Sequence, residues 1–263
     1  MSTILDTIVA HKQKELIARK KSINSKQLEQ MPLFVSETIS LSKNLRSSTS
    51  GILAEFKRRS PSKPEINSSI SVEQVALGYQ EAGVSGMSIL TDSHFFGGSL
   101  NDMEIARKNI QIPILRKEFI LDEFQLLEAK AYGADVILLI AAILSKNEII
   151  SLSQFAKSLE MEVLLEVHNE AEIHKSIMSS IDIVGVNNRN LNTFITDIQT
   201  SKNLSELIPK EFVKISESGI DDILAVKDLQ AYGYKGFLIG EHFMKTKDPG
   251  KSVKLFIQKL QNP

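Results

Sequence analysis

Cysteine is absent from the 263 residues, which excludes disulfides, thiolate metal sites and a cysteine nucleophile. That usage fits a reducing cytosol. An excess of one charge is missing too. The chain carries 31 basic and 32 acidic residues, a net charge of −1, so nothing steers it towards nucleic acid or an anionic membrane. The longest apolar run, Val136 to Leu144, is too short to cross a bilayer. The segment from Met1 to Glu15 lacks the basic-then-apolar pattern of a leader peptide. Five histidines are present, His11, His94, His168, His174 and His242, and no two lie three or four apart as helical metal ligands do. Of these only His168 is placed near the strand ends discussed below, with a bystander role. Low-complexity tracts and sequence repeats are also lacking. The expectation is a cytoplasmic protein that acts on a small molecule, with no metal, no nucleic acid and no membrane partner, and with a monomer as the default state.

What the chain does contain is an ordinary globular balance, 42% hydrophobic and 24% charged, at a length that buries a substantial core. Residues 1–48 have no strand pattern. Ile4, Leu5, Ile8, Leu16 and Ile17 recur near helical spacing, and a second, polar helix is predicted over about 25–45, ended by Ser47-Ser48-Thr49-Ser50. This segment reads as an N-terminal helical extension that covers one end of the main body and reaches the ligand. From Gly51 a β-α rhythm begins. Strands are predicted at 51–57, 86–91, 113–117, 135–140, 162–167, 183–187, 212–217 and 236–240. Helices are predicted at 71–82, 99–109, 122–132, 145–159, 169–178, 197–208, 220–231 and 250–260. Strands this apolar have no wet face, so the sheet is parallel and covered by helices. Eight units most naturally close into an α/β (β/α)8 TIM barrel over 49–263, a single domain with its extension. The competing open doubly wound sheet calls for Gly-x-Gly-x-x-Gly after the first strand, where this chain has Glu55-Phe56-Lys57. With Pro263 just beyond the eighth helix, no second domain is expected.

Catalytic groups of such a barrel sit at the C-terminal ends of its strands. Those ends here read Glu55 and Lys57, Thr91 and Asp92, Lys117, Glu166, Asn187 and Arg189, Glu217 and Ser218, and Gly240. A single buried charge at a strand end is as often a salt bridge as a functional group. Three glutamates and two lysines on one face point to a site, because burying them unpaired is costly. Lys117 and Glu166 are the acid and base candidates, with burial and neighbours expected to tune both towards neutrality. Ser216-Glu217-Ser218-Gly219 and Leu238-Ile239-Gly240-Glu241 end strands 7 and 8, where small residues and helix starts form the usual phosphate site of the fold. Glu241 sits oddly there, and its carboxylate is expected to turn away while its N–H serves.

Ala54-Glu55-Phe56-Lys57-Arg58-Arg59-Ser60-Pro61-Ser62, Leu90-Thr91 with Phe95-Phe96-Gly97-Gly98-Ser99, and Leu115-Arg116-Lys117-Glu118-Phe119-Ile120 resemble the indole-3-glycerol phosphate synthase family. So do Leu165-Glu166-Val167-His168, Gly185-Val186-Asn187-Asn188-Arg189-Asn190-Leu191, Glu217-Ser218-Gly219 and Leu238-Ile239-Gly240. The resemblance runs from about 51 to 245 and takes in the helical extension. It implies ring closure of 1-(2-carboxyphenylamino)-1-deoxyribulose 5-phosphate with loss of CO2 and water, a step of tryptophan biosynthesis that needs no metal or organic cofactor. It makes Lys117 the general acid at the ribulose carbonyl. Lys57 holds the substrate carboxylate and serves as an acid in dehydration, Glu166 is the base or cation stabiliser, and Glu55 supports both lysines. Asn187, Arg189 and Glu217 bind the sugar and order the charges. Ser60, Ser218, Gly219, Gly240 and Glu241 hold phosphate, and Phe96, Phe119, Pro61 and Leu138 wall the anthranilate ring. Glu241 stands where the family often has a small residue, which removes a hydroxyl contact to phosphate.

Two other readings compete. Phosphoribosylanthranilate isomerase chemistry needs a Cys/Asp pair, which this chain cannot supply. A non-catalytic phosphosugar-binding barrel needs the phosphate end but not Lys57, Lys117 and Glu166 together.

Overall fold

The computed structural model describes residues 3–190 and 193–262, so Leu191 of the motif quoted above lies outside it. Eight parallel strands close into a barrel in chain order: β1 (Ile52–Phe56), β2 (Gly86–Leu90), β3 (Ile114–Lys117), β4 (Val136–Ile140), β5 (Glu162–Val167), β6 (Ile183–Asn187), β7 (Val213–Glu217) and β8 (Gly236–Ile239). Closure is direct, with Ile52 opposite Phe237 and Ala54 opposite Ile239. Each strand lies within one residue of its predicted ends at either side. The chain before the barrel holds α1 (Ile4–Ser22), α2 (Ser25–Glu29) and α3 (Leu41–Ser47). Around the barrel follow α4 (Val72–Glu81), α5 (Leu100–Asn109), α6 (Glu123–Ala131), α7 (Lys146–Ser158), α8 (Glu170–Ser176) and α9 (Gln199–Leu204). After β7 come α10 (Ile223–Ala231), α11 (Glu241–Met244) and α12 (Pro249–Gln261).

Helix starts follow local chemistry. Asp122, Ser145 and Asn24 each accept a backbone N–H while Gln125, Glu148 and Gln27 return the bond, closing capping boxes at α6, α7 and α2. Asp248 caps α12, with Pro249 in its first turn. The single polar helix expected over 25–45 is instead two short helices. Pro32 clashes with helical backbone before it, and the chain turns over 31–36 and forms no helix again until Leu41. That link is held from outside: Thr38 Oγ1 donates to the Glu160 carbonyl at 2.7 Å, and the Ile39 N–H donates to Asp135 Oδ1 at 2.8 Å. The Ser40 and Ser42 hydroxyls then donate to Glu162 Oε1 at 2.6 and 2.7 Å, fixing α3 beneath β5.

Side chains of alternate strand positions divide into two cores. Ala54, Phe56, Ile89, Ile137 and Leu165 face the helices. Leu53, Leu115, Val136, Leu164, Ile183 and Ile215 fill the barrel. Leu41 and Leu45 of α3 enter this inner core from below, against Gly86 and Gly236 at the strand starts. The extension therefore serves both ends: α3 plugs the floor, and α1 lies over the mouth. A buried cation anchors α1. Lys12, 1% exposed, sits 2.9 Å from Asp92, 3.0 Å from Glu118 and 2.9 Å from Glu15. Burial alone would depress its pKa, and the charges of Glu118 and Asp92 reverse that and raise it. Arg19 adds a forked contact to Glu128 Oε1 at 2.9 and 2.7 Å. No helix among the described residues is long and apolar enough to cross a membrane.

Leu45→Ala is expected to lower the unfolding free energy by about 2–5 kcal/mol, because a fully buried floor residue leaves a cavity with no solvent access. Urea unfolding measures this. A loss under about 1 kcal/mol would mean the floor collapses onto the void and α3 is not a rigid plug.

Candidate active site

Glu55 and Lys57 leave β1 on the same side because strand residues two apart share a face. Lys57 Nζ lies 2.7 Å from Glu55 Oε1. Lys117 ends β3 and reaches across the barrel axis to two carboxylates. Its Nζ donates to Glu166 Oε2 of β5 at 3.1 Å and forms a shorter contact with Glu217 Oε2 of β7. Side-chain exposure is 13% for Lys117, 6% for Glu166 and 2% for Glu217, so these charges face one another rather than solvent. Asn187, on the strand between the two glutamates, hydrogen-bonds Glu166 through its side chain. Its Oδ1 accepts the Arg189 N–H at 3.0 Å.

This packing sets the protonation states. Burial alone would depress the Lys117 pKa, but the charges of Glu217, Glu166 and Glu55 outweigh it and hold the ammonium well above its ordinary range. For Glu166, burial opposes ionisation while Lys117, His168 and Asn187 favour it, and the net shift is downwards. Glu217 is pushed up to about 7, first by burial and then by the neighbouring Glu166 charge, against the pull of Lys117. The expectation that Lys117 and Glu166 are both tuned towards neutrality is therefore corrected. Lys117 stays a firm ammonium, Glu166 a firm carboxylate, and the group near neutrality is Glu217. Three carboxylates around one lysine leave one of them over-crowded with negative charge, and it is the most buried of the three.

Beside these charges lies an apolar wall. Phe96 and Phe119 face each other with centroids 6.0 Å apart, with Leu138 and Pro61 in the same cavity. Phe96 is placed by Asp92, whose Oδ1 accepts the Phe95 and Phe96 N–H groups at 2.7 and 3.3 Å. Thr91 donates to Glu118 Oε2 at 2.8 Å. Thr91 and Asp92 thus hold loops and α1 instead of lining the cavity, a correction to their reading as strand-end site groups. Arg58 and Arg59 are likewise loop clamps, on Asp102 at 2.7 Å and on the Ser93 and His94 carbonyls at 2.8 and 2.9 Å.

The far end of the cavity is built from small residues. Ser218 and Gly219 both have positive φ, +69° and +72°, and a Cβ on Gly219 would meet Thr196 Cγ2 at 2.4 Å. A Cβ on Gly240 would lie 2.4 Å from Glu55 Oε1, so glycine there is what lets Glu55 stand beside Lys57. Gly240 leads into α11, a helix the sequence periodicity did not reveal because four residues are too few to show a period. The Glu241 carboxylate pairs with Lys63 Nζ in a very short contact. Arg189 Nη1 donates to Ser62 Oγ at 3.0 Å. The loops after β1, β6 and β8 are therefore tied to one another around this end.

All of the residues proposed from the sequence, from Lys117, Glu166, Lys57, Glu55, Asn187 and Glu217 through Arg189, Ser60, Phe96, Phe119, Leu138 and Pro61 to Ser218, Gly219, Gly240 and Glu241, line one cavity of about 340 Å³. Sequence reasoning missed Lys63, the partner that explains Glu241, and Phe194 and Thr196, which lie between elements without periodicity. It also missed His242, which lines this cavity, whereas His168 stands beside Glu166 outside its lining. Ile4, Leu5 and Ile8 of α1 line the cavity too, and their helical spacing was the signal that identified the extension. Among the described residues no cluster of histidine, aspartate and glutamate is arranged to hold a metal ion.

A closed (β/α)8 barrel with paired lysines and glutamates at its mouth and a small-residue end after β7 and β8 defines a TIM-barrel enzyme class with acid–base chemistry. Solved structures agree on the fold. Thiamine phosphate pyrophosphorylase from Pyrococcus furiosus superposes with a TM-score of 0.61 at 13% identity, over 84% of this chain and 98% of its own. 3-Hexulose-6-phosphate synthase from Salmonella typhimurium gives 0.60 at 14% identity, over 80% and 99%. The family model of indole-3-glycerol phosphate synthase matches residues 5–256. The chain is 47% identical over 261 residues to indole-3-glycerol phosphate synthase of Bacteroides thetaiotaomicron, covering 99% of this chain and all of the relative. It is 38% identical over 263 residues to that of Aliarcobacter butzleri, covering 98% of each chain. The chain belongs to the indole-3-glycerol phosphate synthase family, carboxy-lyases of tryptophan biosynthesis.

The pH dependence follows from the sign of each shift. Lys117, shifted up, and Glu166, shifted down, keep their charges on both sides of neutrality, whereas Glu217 loses its proton through about pH 7. A limb near pH 7 is expected in kcat/KM, and Glu217→Gln is expected to remove it. Rate profiles of the two proteins decide, and an unchanged limb in the glutamine variant would assign it to another group.

Proposed function

We propose that this cavity closes the indole ring of 1-(2-carboxyphenylamino)-1-deoxyribulose 5-phosphate, and that the carrying observation is the Lys117–Glu166–Glu217 cluster beside an apolar slot. The anthranilate ring lies between Phe96, Phe119, Leu138 and Pro61, with Ile8 over it. Phosphate sits at Ser218, Gly219 and Gly240, on the N–H groups that start α11, with Ser60 facing it across the cavity. Arg189, Asn187 and Glu217 take the sugar. The Lys117 ammonium donates its proton to the ribulose carbonyl oxygen as the carboxylate-bearing ring carbon attacks the carbonyl carbon. CO2 departs, and the electron pair of its bond restores the aromatic ring. The new hydroxyl then leaves as water with a proton from Lys57, while Glu166 takes the proton from the carbon beside nitrogen. Two protons are given and one is taken, so each turnover draws one proton from solvent.

An ammonium serves this chemistry better than a neutral amine because the carbonyl oxygen needs a proton as it becomes a hydroxyl and another as it leaves as water. The carboxylates that keep Lys117 charged also stabilise the cation formed as hydroxide leaves. Glu55 performs the same service for Lys57. A barrel that only bound a phosphosugar would have no use for such a buried network. The extension and barrel act as one unit, since α1 supplies part of the slot. The protein works as a cytoplasmic monomer without metal, organic cofactor or nucleic acid. The family resemblance supports the metal-free and cofactor-free reading, the near-zero net charge the absence of nucleic acid, and the monomer is the default state.

Lys117→Ala is expected to reduce turnover by at least about 100-fold while substrate binding stays within a few-fold. Indole fluorescence after mixing with the substrate measures the first and titration calorimetry the second. Loss of binding with unchanged turnover of the bound fraction would remove Lys117 from the acid role. Gly219→Val is expected to weaken indole-3-glycerol phosphate far more than anthranilate, since it strains the backbone of the phosphate end only. Equal weakening of both ligands would move the phosphate elsewhere.

A further inference from the structure

The reaction above consumes one proton per turnover, yet Lys117 and Glu166 face a cavity roofed by α1. A path from solvent is needed, and His168 offers one. His168 follows Glu166 by two residues, just past the end of β5, and lies beside it. Its Nε2 lies 3.5 Å from Glu166 Oε1, is itself buried, and has no hydrogen-bond partner among the described residues. Its other nitrogen, Nδ1, lies 3.2 Å from Glu172 Oε2 on α8. That carboxylate is fixed, because its Oε2 accepts the His168 N–H at 2.8 Å and its Oε1 accepts Asn169 Nδ2 at 2.7 Å. The imidazole is thus strung between two carboxylates. One belongs to the reaction centre and the other does not.

The two carboxylates also border different spaces. Glu166 lines the substrate cavity. His168, Asn169 and Glu172 line a second cavity, of about 840 Å³ and open to the surface, whose wall also includes Asp6 of α1 and Arg189. The ring therefore stands in the wall between solvent and the reaction centre. From this placement we infer that His168 is a positioning and proton-relay residue that returns the proton consumed in each turnover from the second cavity, through Glu166, to Lys117. The inference rests on the function proposed above. The transfer balances when it precedes dehydration: the imidazolium Nε2–H passes its proton to the Glu166 carboxylate, Glu166 passes it on to the Lys117 amine left neutral by the first step, 3.1 Å away, and the ring, left protonated at Nδ1 alone, turns to take its next proton at Nε2 from hydronium in the second cavity. Glu166 is then a carboxylate again for the carbon proton, which returns to Lys57 through the water released in the substrate cavity, so the net uptake is the one proton that His168 brings in. No oxidant, reductant or further group takes part. The charged groups acting on the ring are Glu172 of α8, Glu166 of β5 and Glu217 of β7. Together they outweigh burial and raise its pKa, so the ring is available as an imidazolium near neutral pH.

His168→Gln keeps the size of the side chain but carries no titratable proton. It is expected to lower kcat about 10-fold or more, with KM changed by less than about twofold. His168→Ala, which opens space in the wall, is expected to recover part of its kcat when imidazole is added. Glu172→Gln removes a charge that favours the imidazolium and is expected to move the alkaline limb of kcat to lower pH. A kcat unchanged by His168→Gln overturns the relay. So does a loss of kcat in His168→Ala that imidazole leaves untouched in protein that melts like the wild type. If wild-type protein makes no indole product at all, the failure is that of the proposed function and not of the histidine alone.

Discussion

The barrel mouth depends on one constraint: Lys117 cannot be buried without its carboxylates. A lone ammonium in a low-dielectric pocket would lose its proton or open the pocket to water. Glu166 and Glu217 prevent that from β5 and β7, and Glu55 adds its field from β1. Three carboxylates against one central ammonium exceed neutrality, so the excess is distributed. Lys57 takes up Glu55, His168 approaches Glu166, and Glu217 carries the remainder as a raised pKa. The acid strength of the centre is a property of this arrangement and not of any single residue.

The same economy of placement explains the N-terminal extension. Its Leu41 and Leu45 complete the inner core from below, where a barrel built of strand residues alone would leave the floor open. Its α1 crosses to the mouth and brings Ile4, Leu5 and Ile8 to the slot. Lys12 ties that helix to Asp92, which positions Phe96, and to Glu118, the residue after Lys117. The roof over the ring slot is therefore fastened to the two strands that carry the slot and the acid. Water exclusion and acid placement share one set of contacts.

The strands were legible in the sequence because fully buried parallel strands are continuous apolar runs ended by charge, and the site was legible because those charges recur at every relevant strand end. Glu55 with Lys57, Lys117, Glu166 and Glu217 stand out for this reason. What the sequence concealed was set by contacts between distant segments. Pro32 marked a break in the expected second helix, but the non-helical link after it depends on Glu160, Asp135 and Glu162, more than 90 residues away. Thr91 and Asp92 have the position of site residues, and only their bonds to Glu118 and the Phe95–Phe96 turn show them to be loop anchors. The oddity of Glu241 was visible, while its partner Lys63 sits 178 residues earlier. The tuning of Lys117 and Glu166 could not be signed without knowing how many carboxylates surround one ammonium.

The charge state of Lys117 in the resting protein is the claim on which the rest turns. It is measured most directly by NMR of lysine labelled at Cε and Nζ, assigned with Lys117→Arg and followed across pH. A signal that stays that of an ammonium to above about pH 10 is the result this account predicts. A Lys117 signal that becomes that of a neutral amine below about pH 8 would contradict it, because an amine neutral at rest cannot donate the first proton.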